Sequence, residues 1–127
     1  ILKYDPKNKN LKNRDRLILS KGHGCLALYA ILSDKGFFSK SKLKSFCKPT
    51  SILGGHPDTA VPGVETTTGS LGHGLSIAVG MAISLKYRKT KANVIILLSD
   101  GEMNTGSTWE AIMFASHHKL NNIIFIN

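Results

Sequence analysis

The segment NVIILLSDGE, residues 93–102, contains an uninterrupted apolar run, VIILL, that is rich in β-branched residues. An aspartate and a glycine follow shortly after the run. The run predicts a buried strand from Asn93 to Ser99, because a strand covered on both faces shows no polar alternation. A second apolar run, from Asn122 to Asn127, predicts another buried strand. Between them, Ser107-Thr108-Trp109-Glu110 has the spacing of a capping box and predicts a helix that continues to about His118.

The order strand, helix, strand predicts a right-handed βαβ unit with two parallel strands, and therefore an α/β fold. In such sheets, ligands bind beyond the carboxyl ends of the strands, where loop amides and helix N-termini carry positive partial charge. Asp100, Gly101 and Glu102 fall at this edge. A carboxylate there can hold a magnesium ion that neutralises a diphosphate, although an isolated Asp-Gly pair is more often an ordinary turn.

Two glycine-rich segments lie upstream of this unit. Gly22-His23-Gly24 comes directly before an apolar helical pattern. A second short helix is predicted from Lys40 to Cys47, and the proline and glycine residues of 49–63 then indicate a long irregular loop. Thr66 to Gly74 precedes a helix of small residues that continues through Leu85.

A histidine between glycines has little packing of its own and can reach a ligand, but a single loop histidine is more often a satisfied polar group.

Length and composition indicate one globular domain covering residues 1–127. No apolar run approaches the roughly 20 residues needed to span a bilayer. The first ten residues lack the apolar stretch of a secretory signal, and Cys25 and Cys47 show no disulfide framework, so we expect reduced thiols and a cytoplasmic location. The net charge of +9 comes from basic runs without interleaved aromatic residues, so we expect solvated helix faces and no nucleic-acid partner.

Four ordered signatures resemble those of transketolases, and they are most similar to the N-terminal subunits of enzymes whose transketolase is split into two chains. The signatures are Ser20-Lys21-Gly22-His23-Gly24, Gly55-His56-Pro57, Thr67-Thr68-Gly69-Ser70-Leu71-Gly72-His73-Gly74, and Asp100-Gly101-Glu102 followed by Trp109-Glu110-Ala111. Four motifs in the family's order are far more specific than one. The resemblance covers almost the whole chain. It implies a parallel-sheet fold of the thiamine-diphosphate-binding type, truncated at both ends.

The resemblance implies cofactor-binding roles for residues in two of these signatures. Asp100 would be a ligand of Mg²⁺ or Ca²⁺. Gly101 would give a backbone amide to the diphosphate of thiamine diphosphate, with Glu102 beside it in the cofactor site. Three residues of the third signature would contact the cofactor through backbone groups: Gly69, Ser70 and Leu71.

The two catalytic residues that the resemblance implies are histidines. His23 would contact the diphosphate and lie near the donor sugar, and His56 would form hydrogen bonds with the donor's hydroxyl groups. The implied reaction is the transfer of a two-carbon ketol unit between sugar phosphates.

Three departures from the family pattern affect the predicted site. Thr105 stands where many transketolases carry a glutamate of a carboxylate network across the subunit interface, whereas Glu110 matches the second glutamate of that network. The asparagine that completes the metal site in the family falls two or three residues beyond Asn127, and a further substrate histidine falls before Ile1. We therefore expect an incomplete metal site.

The resemblance also implies a partner. In the family, the glutamate that acts on the cofactor's aminopyrimidine comes from another domain or chain, and nothing in this sequence takes its place. We expect a C-terminal transketolase subunit or pyrimidine-binding domain, in a dimer or heterotetramer. One alternative is a deoxyxylulose-phosphate synthase or a 2-oxoacid-decarboxylating component, which Gly55-His56-Pro57 and Trp109-Glu110 disfavour. The other is a catalytically inert interaction module that keeps the fold.

Overall fold

Three α-helices pack around a sheet of three parallel strands in the part of the chain that the computed structural model describes, residues 2–8 and 10–127. Residues 1 and 9 of the predicted domain lie outside the described residues. The elements are β1 (Arg16–Leu19), α1 (Cys25–Asp34), α2 (His73–Tyr87), β2 (Val94–Leu97), α3 (Gly106–His117) and β3 (Ile123–Ile126). Short 3₁₀ turns cover Gly22–Gly24, Lys40–Ser45 and Asp100–Asn104. The predicted α/β class is confirmed.

The strand order is β1-β2-β3, and both neighbouring pairs are parallel. β2 and β3 are the two strands predicted from the apolar runs, and their parallel pairing is confirmed. The third strand of the sheet, β1, was not predicted from the sequence. β1 has only four residues and directly follows a basic, loop-like segment. It is recruited by long-range contacts, among them the buried Asp15 carboxylate, which accepts a hydrogen bond from the Asn93 amide at 2.7 Å.

Alternate residues of β1 and β2 enter two separate apolar clusters, so both faces of these two strands are covered. Ile18 and Ile96 belong to the cluster formed with α2 and α3. Leu19 and Leu97 lie with α1 and the loop residues Leu53 and Val61. This covering explains why β2 has an uninterrupted apolar sequence, since each of its faces meets an apolar layer.

The prediction of a fully buried final strand was wrong. β3 lies at the edge of the three described strands, and its last three residues are about half-exposed, with Ile124 49%, Phe125 48% and Ile126 49% accessible. The apolar sequence of β3 resembles that of β2 because an apolar sequence shows only that a strand can pack against apolar neighbours. It does not show whether such neighbours are present.

The predicted capping box at Ser107 to Glu110 was also wrong. α3 begins at Gly106 with Thr105 as its N-cap, and no side chain caps it. The Ser107 hydroxyl instead donates to the Gly72 carbonyl at 3.2 Å. Reciprocal capping bonds do occur earlier, between Ser99 and Glu102.

Other predicted elements differ mainly in length or type. The helix predicted from Lys40 to Cys47 is a 3₁₀ turn that ends at Ser45. The irregular loop is present as expected: no helix or strand occurs among residues 46–72, all of which the structure describes. No helix in the described ranges is long and apolar enough to cross a membrane.

Candidate functional site

The predicted site residues lie at the carboxyl edge of the sheet. β1 leads into Ser20 to Gly24, and β2 leads into the turn that begins at Asp100. Because the strands are parallel and in register, with Leu19 beside Leu97, these two connections emerge on the same side. This is the edge at which parallel α/β sheets bind ligands.

The first connection passes unusually close to the loop of residues 66–72. Gly22 is buried, and a Cβ atom placed on it would lie 2.8 Å from the Thr68 carbonyl oxygen and 2.9 Å from the Gly69 Cα. Only glycine permits this approach. The Thr68 hydroxyl also donates to the Leu19 carbonyl at 2.7 Å. The loop is therefore fixed to the end of β1, and the neighbouring His23 is exposed at its border.

His56 reaches the same place from the long irregular loop. A Cβ atom on Gly69 would lie 2.9 Å from the imidazole Cδ2 of His56, so the ring rests against the backbone of Gly69. His56 is solvent-exposed. The Thr68 amide donates to the Pro57 carbonyl at 3.3 Å, which ties the two loops together. The turn that carries His23 thus converges with His56 and Gly69, although the three are distant in sequence.

Helix α1 holds the His56 segment from beneath. The Tyr29 hydroxyl, on a side chain that is 1% exposed, shares its one hydrogen between the His56 carbonyl at 2.8 Å and the Gly54 carbonyl at 3.1 Å. The Cys25 thiol donates to the Gly55 carbonyl at 3.1 Å. Burial, with smaller effects from Cys25, Asp58 and Cys47, raises the pKa of Tyr29 to about 12. Tyr29 therefore remains a protonated donor at neutral pH.

The acidic turn after β2 contains one accessible carboxylate and one buried carboxylate. Asp100 and Gly101 are exposed, and no side-chain hydrogen bond to Asp100 occurs in the described part of the chain. Among the described residues, no group of three or more His, Cys, Asp or Glu side chains is arranged to hold a metal ion. Asn127 is exposed just after β3, the strand beside β2. Asp100 is therefore the metal-ligand candidate at this edge.

Glu102 was predicted to be one of the cofactor-binding residues, but its side chain lies in the protein interior. Its side chain is fully buried, at 0% exposure. It accepts hydrogen bonds from the Gly72 amide at 2.9 Å, the Ser99 amide at 3.1 Å and the hydroxyl of Ser20. Ser70 and Leu71, by contrast, are exposed beside Gly69. The Glu102 carboxylate faces the protein interior.

Several residues that shape this edge were not predicted. Tyr29 appears in the sequence as an ordinary core position of α1, and nothing local indicates that its hydroxyl reaches carbonyls more than 20 residues away. Ser20 belongs to a recognised motif, but its bond to Glu102 spans 82 residues. A buried hydroxyl donor leaves no periodic signal in a sequence, so these contacts required the tertiary structure.

Fold and site together define a class: a parallel α/β domain whose glycine-rich loops, histidines and strand-end aspartate meet at the carboxyl edge of the sheet. The family model described as "Transketolase, thiamine diphosphate binding domain" matches residues 1–127. The chain belongs to this family. The resemblance expected from the four signatures is confirmed.

Relatives of this chain include both split and single-chain transketolases. It is 43% identical over 99% of its length to one of the subunits of the apulose-4-phosphate transketolase of Phocaeicola vulgatus, covering 45% of that protein. It is 42% identical over 98% of its length to "6-deoxy-6-sulfo-D-fructose transketolase subunit SqwG" of Clostridium sp., covering 46% of it. It is 44% identical over 96% of its length to the human transketolase, of which it covers 19%. The chain thus spans less than half the length of these relatives.

Solved transketolase structures share the fold. The transketolase of Campylobacter jejuni matches 98% of the chain with a TM-score of 0.92 and 37% identity, over 21% of that enzyme. The Leishmania mexicana transketolase matches the same share with a TM-score of 0.90 and 34% identity, over 20% of its chain. These matches confirm the fold predicted from the family resemblance.

Proposed function

We propose that this chain is the part of a ketol-transferring enzyme that binds thiamine diphosphate and Mg²⁺. The enzyme would move a two-carbon unit between sugar phosphates. The observation that carries the proposal is the convergence of the Gly22–Gly24 turn, His56 and Gly69 at the sheet edge where Asp100 follows β2. Membership of a family described as thiamine diphosphate binding supports the class of cofactor.

The residues at this edge fit a metal-bound diphosphate. Mg²⁺ in proteins commonly takes one or two carboxylates and completes its shell with phosphate oxygens and water. Asp100 supplies an exposed carboxylate, and Gly101 has no side chain to block its backbone. The loop Gly69-Ser70-Leu71 would supply further backbone contacts. Ca²⁺ prefers the same oxygen donors and is an alternative metal.

The two histidines would handle the diphosphate and the sugar. When bound, thiamine diphosphate supplies the electron sink for breaking and forming the carbon–carbon bond. His23, exposed at the end of β1, would hydrogen-bond the diphosphate and border the donor sugar. His56 would hydrogen-bond the donor's hydroxyl groups, and its contact with Gly69 places it next to the cofactor loop.

A second polypeptide or domain would complete the site. Of the three glutamates, Glu65 pairs with Arg14 and Glu102 is buried, while Glu110 lies in a groove between α2 and α3. None of them is placed at the edge to act on the aminopyrimidine. The two split relatives described above are named as subunits, which supports a second polypeptide here. A dimer or heterotetramer follows from this proposal.

The groove between α2 and α3 is the surface that we assign to this partner. It has a volume of about 360 Å³, and its lining includes Val79, Ile83, Glu110 and Phe114. Phe114, which lines the groove, is 47% exposed. A contiguous apolar surface of this kind is typical of a protein interface.

The substrate is proposed only as a class. One split relative is named for apulose 4-phosphate and another for 6-deoxy-6-sulfo-D-fructose, so related subunits carry the names of different ketoses. We propose an anionic ketose donor and a sugar-phosphate acceptor. The cytoplasmic location predicted from the sequence also remains part of this proposal.

The alternatives predict different measurements. An inert module that keeps the fold is favoured by Thr105, which replaces the family glutamate and whose hydroxyl bonds within the chain, to the Glu102 carbonyl at 2.7 Å. Calorimetric titration of the protein with thiamine diphosphate, with and without Mg²⁺, tests the proposal. We expect binding that depends on Mg²⁺. An absence of binding in the presence of the partner polypeptide would refute the proposal and favour the inert module.

A further inference from the structure

We infer that Glu102 is a positioning residue: its buried carboxylate holds the loop Gly69-Ser70-Leu71 in the shape that receives the diphosphate. This inference rests on the proposed function and deepens it. It replaces the expectation that Glu102 belongs to the surface that contacts the cofactor.

The Glu102 carboxylate joins three segments that meet at the carboxyl edge. One oxygen, Oε1, accepts the Gly72 amide at 2.9 Å and the hydroxyl of Ser20. The other, Oε2, accepts the Ser99 amide at 3.1 Å. At 0% exposure, Glu102 has no surface left for a ligand. Its influence on a ligand must therefore pass through the segments that it holds.

The arrangement requires a carboxylate. The amides of Gly72 and Ser99 can only donate, and they approach different oxygens of Glu102. A glutamine has one acceptor oxygen and one NH₂ group, so it would leave one of these amides facing another donor. A buried charge is a poor device for stability alone, because its desolvation offsets much of what it contributes. The buried Glu102 carboxylate is therefore better explained by the positions in which it holds these segments.

Gly72 is the point at which Glu102 acts on the loop. Its φ of +86° lies in the left-handed region that favours glycine. Its amide is held by Glu102, and its carbonyl accepts the Ser107 hydroxyl at 3.2 Å. A Cβ on Gly72 would lie 2.5 Å from that hydroxyl oxygen. Both backbone groups of the residue after Leu71 are thus fixed before any ligand arrives, which lowers the ordering cost of binding.

The test compares Glu102→Gln with the parent in the assembled enzyme and in the free protein. We expect the Gly72 amide to exchange hydrogen about tenfold faster or more, and the thiamine diphosphate Kd in the presence of Mg²⁺ to rise about tenfold or more. Ser107→Ala, which frees only the Gly72 carbonyl, should shift both quantities in the same direction by less. This milder variant keeps the test decisive if Glu102→Gln does not fold.

Val94→Ala is the matched control for a general loss of stability. Val94 is fully buried in the first position of β2, at the opposite edge of the sheet. It should raise exchange broadly and leave the cofactor Kd within about twofold of the parent, because distant sites act independently. Faster exchange confined to residues 69–72 and Ser99, together with a raised Kd, supports the positioning role.

Two results would overturn the inference. One is an unchanged exchange rate at both the Gly72 and Ser99 amides in Glu102→Gln, and the other is an increase spread over the chain as in Val94→Ala. If the parent itself binds no thiamine diphosphate, the proposed function fails. The exchange rate of the Gly72 amide in the free protein then still decides whether Glu102 holds the turn.

Discussion

His56 and Asp100 are both exposed at the sheet edge, but their contacts with neighbouring residues differ. His56 lies against the Gly69 backbone, and its own carbonyl is held from beneath by Tyr29. Asp100 is exposed and makes no side-chain hydrogen bond in the described part of the chain. A side chain whose backbone is fixed and whose polar group is free suits ligand binding, because little further ordering is needed when the ligand arrives.

The first prediction concerns Asp100. Asp100→Asn should raise the thiamine diphosphate Kd measured with Mg²⁺ by about tenfold or more, because it removes a full negative charge from a divalent-cation site. Calorimetric titration measures this. Folding should be retained within about 0.5 kcal/mol, since the side chain is exposed. Asp34→Asn, at the exposed end of α1, is the control and should leave the Kd unchanged. Equal cofactor affinity in Asp100→Asn and the parent would contradict the assigned role.

The second prediction concerns His56. His56→Ala should lower kcat with ketose donors on the order of 100-fold while changing the thiamine diphosphate Kd far less, since contacts to the donor strengthen in the transition state. Steady-state kinetics and calorimetric titration on one preparation of the assembled enzyme give both numbers. His117→Ala, an exposed residue at the end of α3, serves as the control. If cofactor affinity falls as far as kcat, His56 acts on the cofactor and not on the donor.

At the scale of elements, α1 supports a loop that has no regular structure of its own. Tyr29 and Cys25 donate to three consecutive carbonyls, those of Gly54, Gly55 and His56. Backbone carbonyls in an irregular loop need such donors when they turn towards the interior. Side chains of the helix therefore supply the hydrogen-bond donors that a neighbouring strand would supply in a sheet. These bonds fix the loop that carries His56.

The third prediction follows from the raised pKa of Tyr29. In the unfolded chain this hydroxyl ionises near pH 10, whereas in the folded protein its pKa is about 12. Between these values, unfolding releases a proton, so stability falls as pH rises through this window; below it, Tyr29 contributes no pH dependence. Urea unfolding at a series of pH values should show a loss of at most about 3 kcal/mol from this residue, which Tyr29→Phe removes.

The same variant should also be less stable at neutral pH. Tyr29→Phe leaves the Gly54 and His56 carbonyls without this donor and should lower the free energy of unfolding by about 1–3 kcal/mol. Tyr87→Phe is the matched control, since Tyr87 is 88% exposed. It should match the parent in both respects. An alkaline loss of stability in Tyr29→Phe as large as in the parent would mean that another group is responsible.

At the scale of the whole molecule, the ligand edge and the apolar surfaces lie on different parts of the fold. The carboxyl edge carries the exposed polar residues His23, His56 and Asp100. The α2–α3 groove and the edge strand β3 instead expose apolar side chains, including Phe114 and Phe125. A partner that covers the apolar surfaces would also have to extend to the ligand edge, because that is where the glutamate for the aminopyrimidine is required.

The fourth prediction is that this 127-residue chain alone will not catalyse ketol transfer, even with saturating thiamine diphosphate and Mg²⁺. No glutamate at the edge can act on the aminopyrimidine, because Glu102 is buried and Glu110 lies in the α2–α3 groove. The assay uses xylulose 5-phosphate as donor and ribose 5-phosphate as acceptor. Adding the partner polypeptide should restore turnover. Cofactor-dependent turnover by the chain alone, above a blank without enzyme, would show that the missing base is not supplied by a partner.

The amino-acid sequence by itself determined the α/β class, the α-helices and the strand β2, because these depend on apolar periodicity and glycine placement that are local properties of the chain. It also determined the order of the four motifs from which the family resemblance came. Only the tertiary structure decided the role of the short strand β1, the edge position of β3 and the burial of Glu102. Each of these depends on a partner far along the chain, such as β2 for Arg16–Leu19 or Gly72 for Glu102. A local sequence pattern shows which neighbours a segment can pack against, whereas the folded structure determines which neighbours it has.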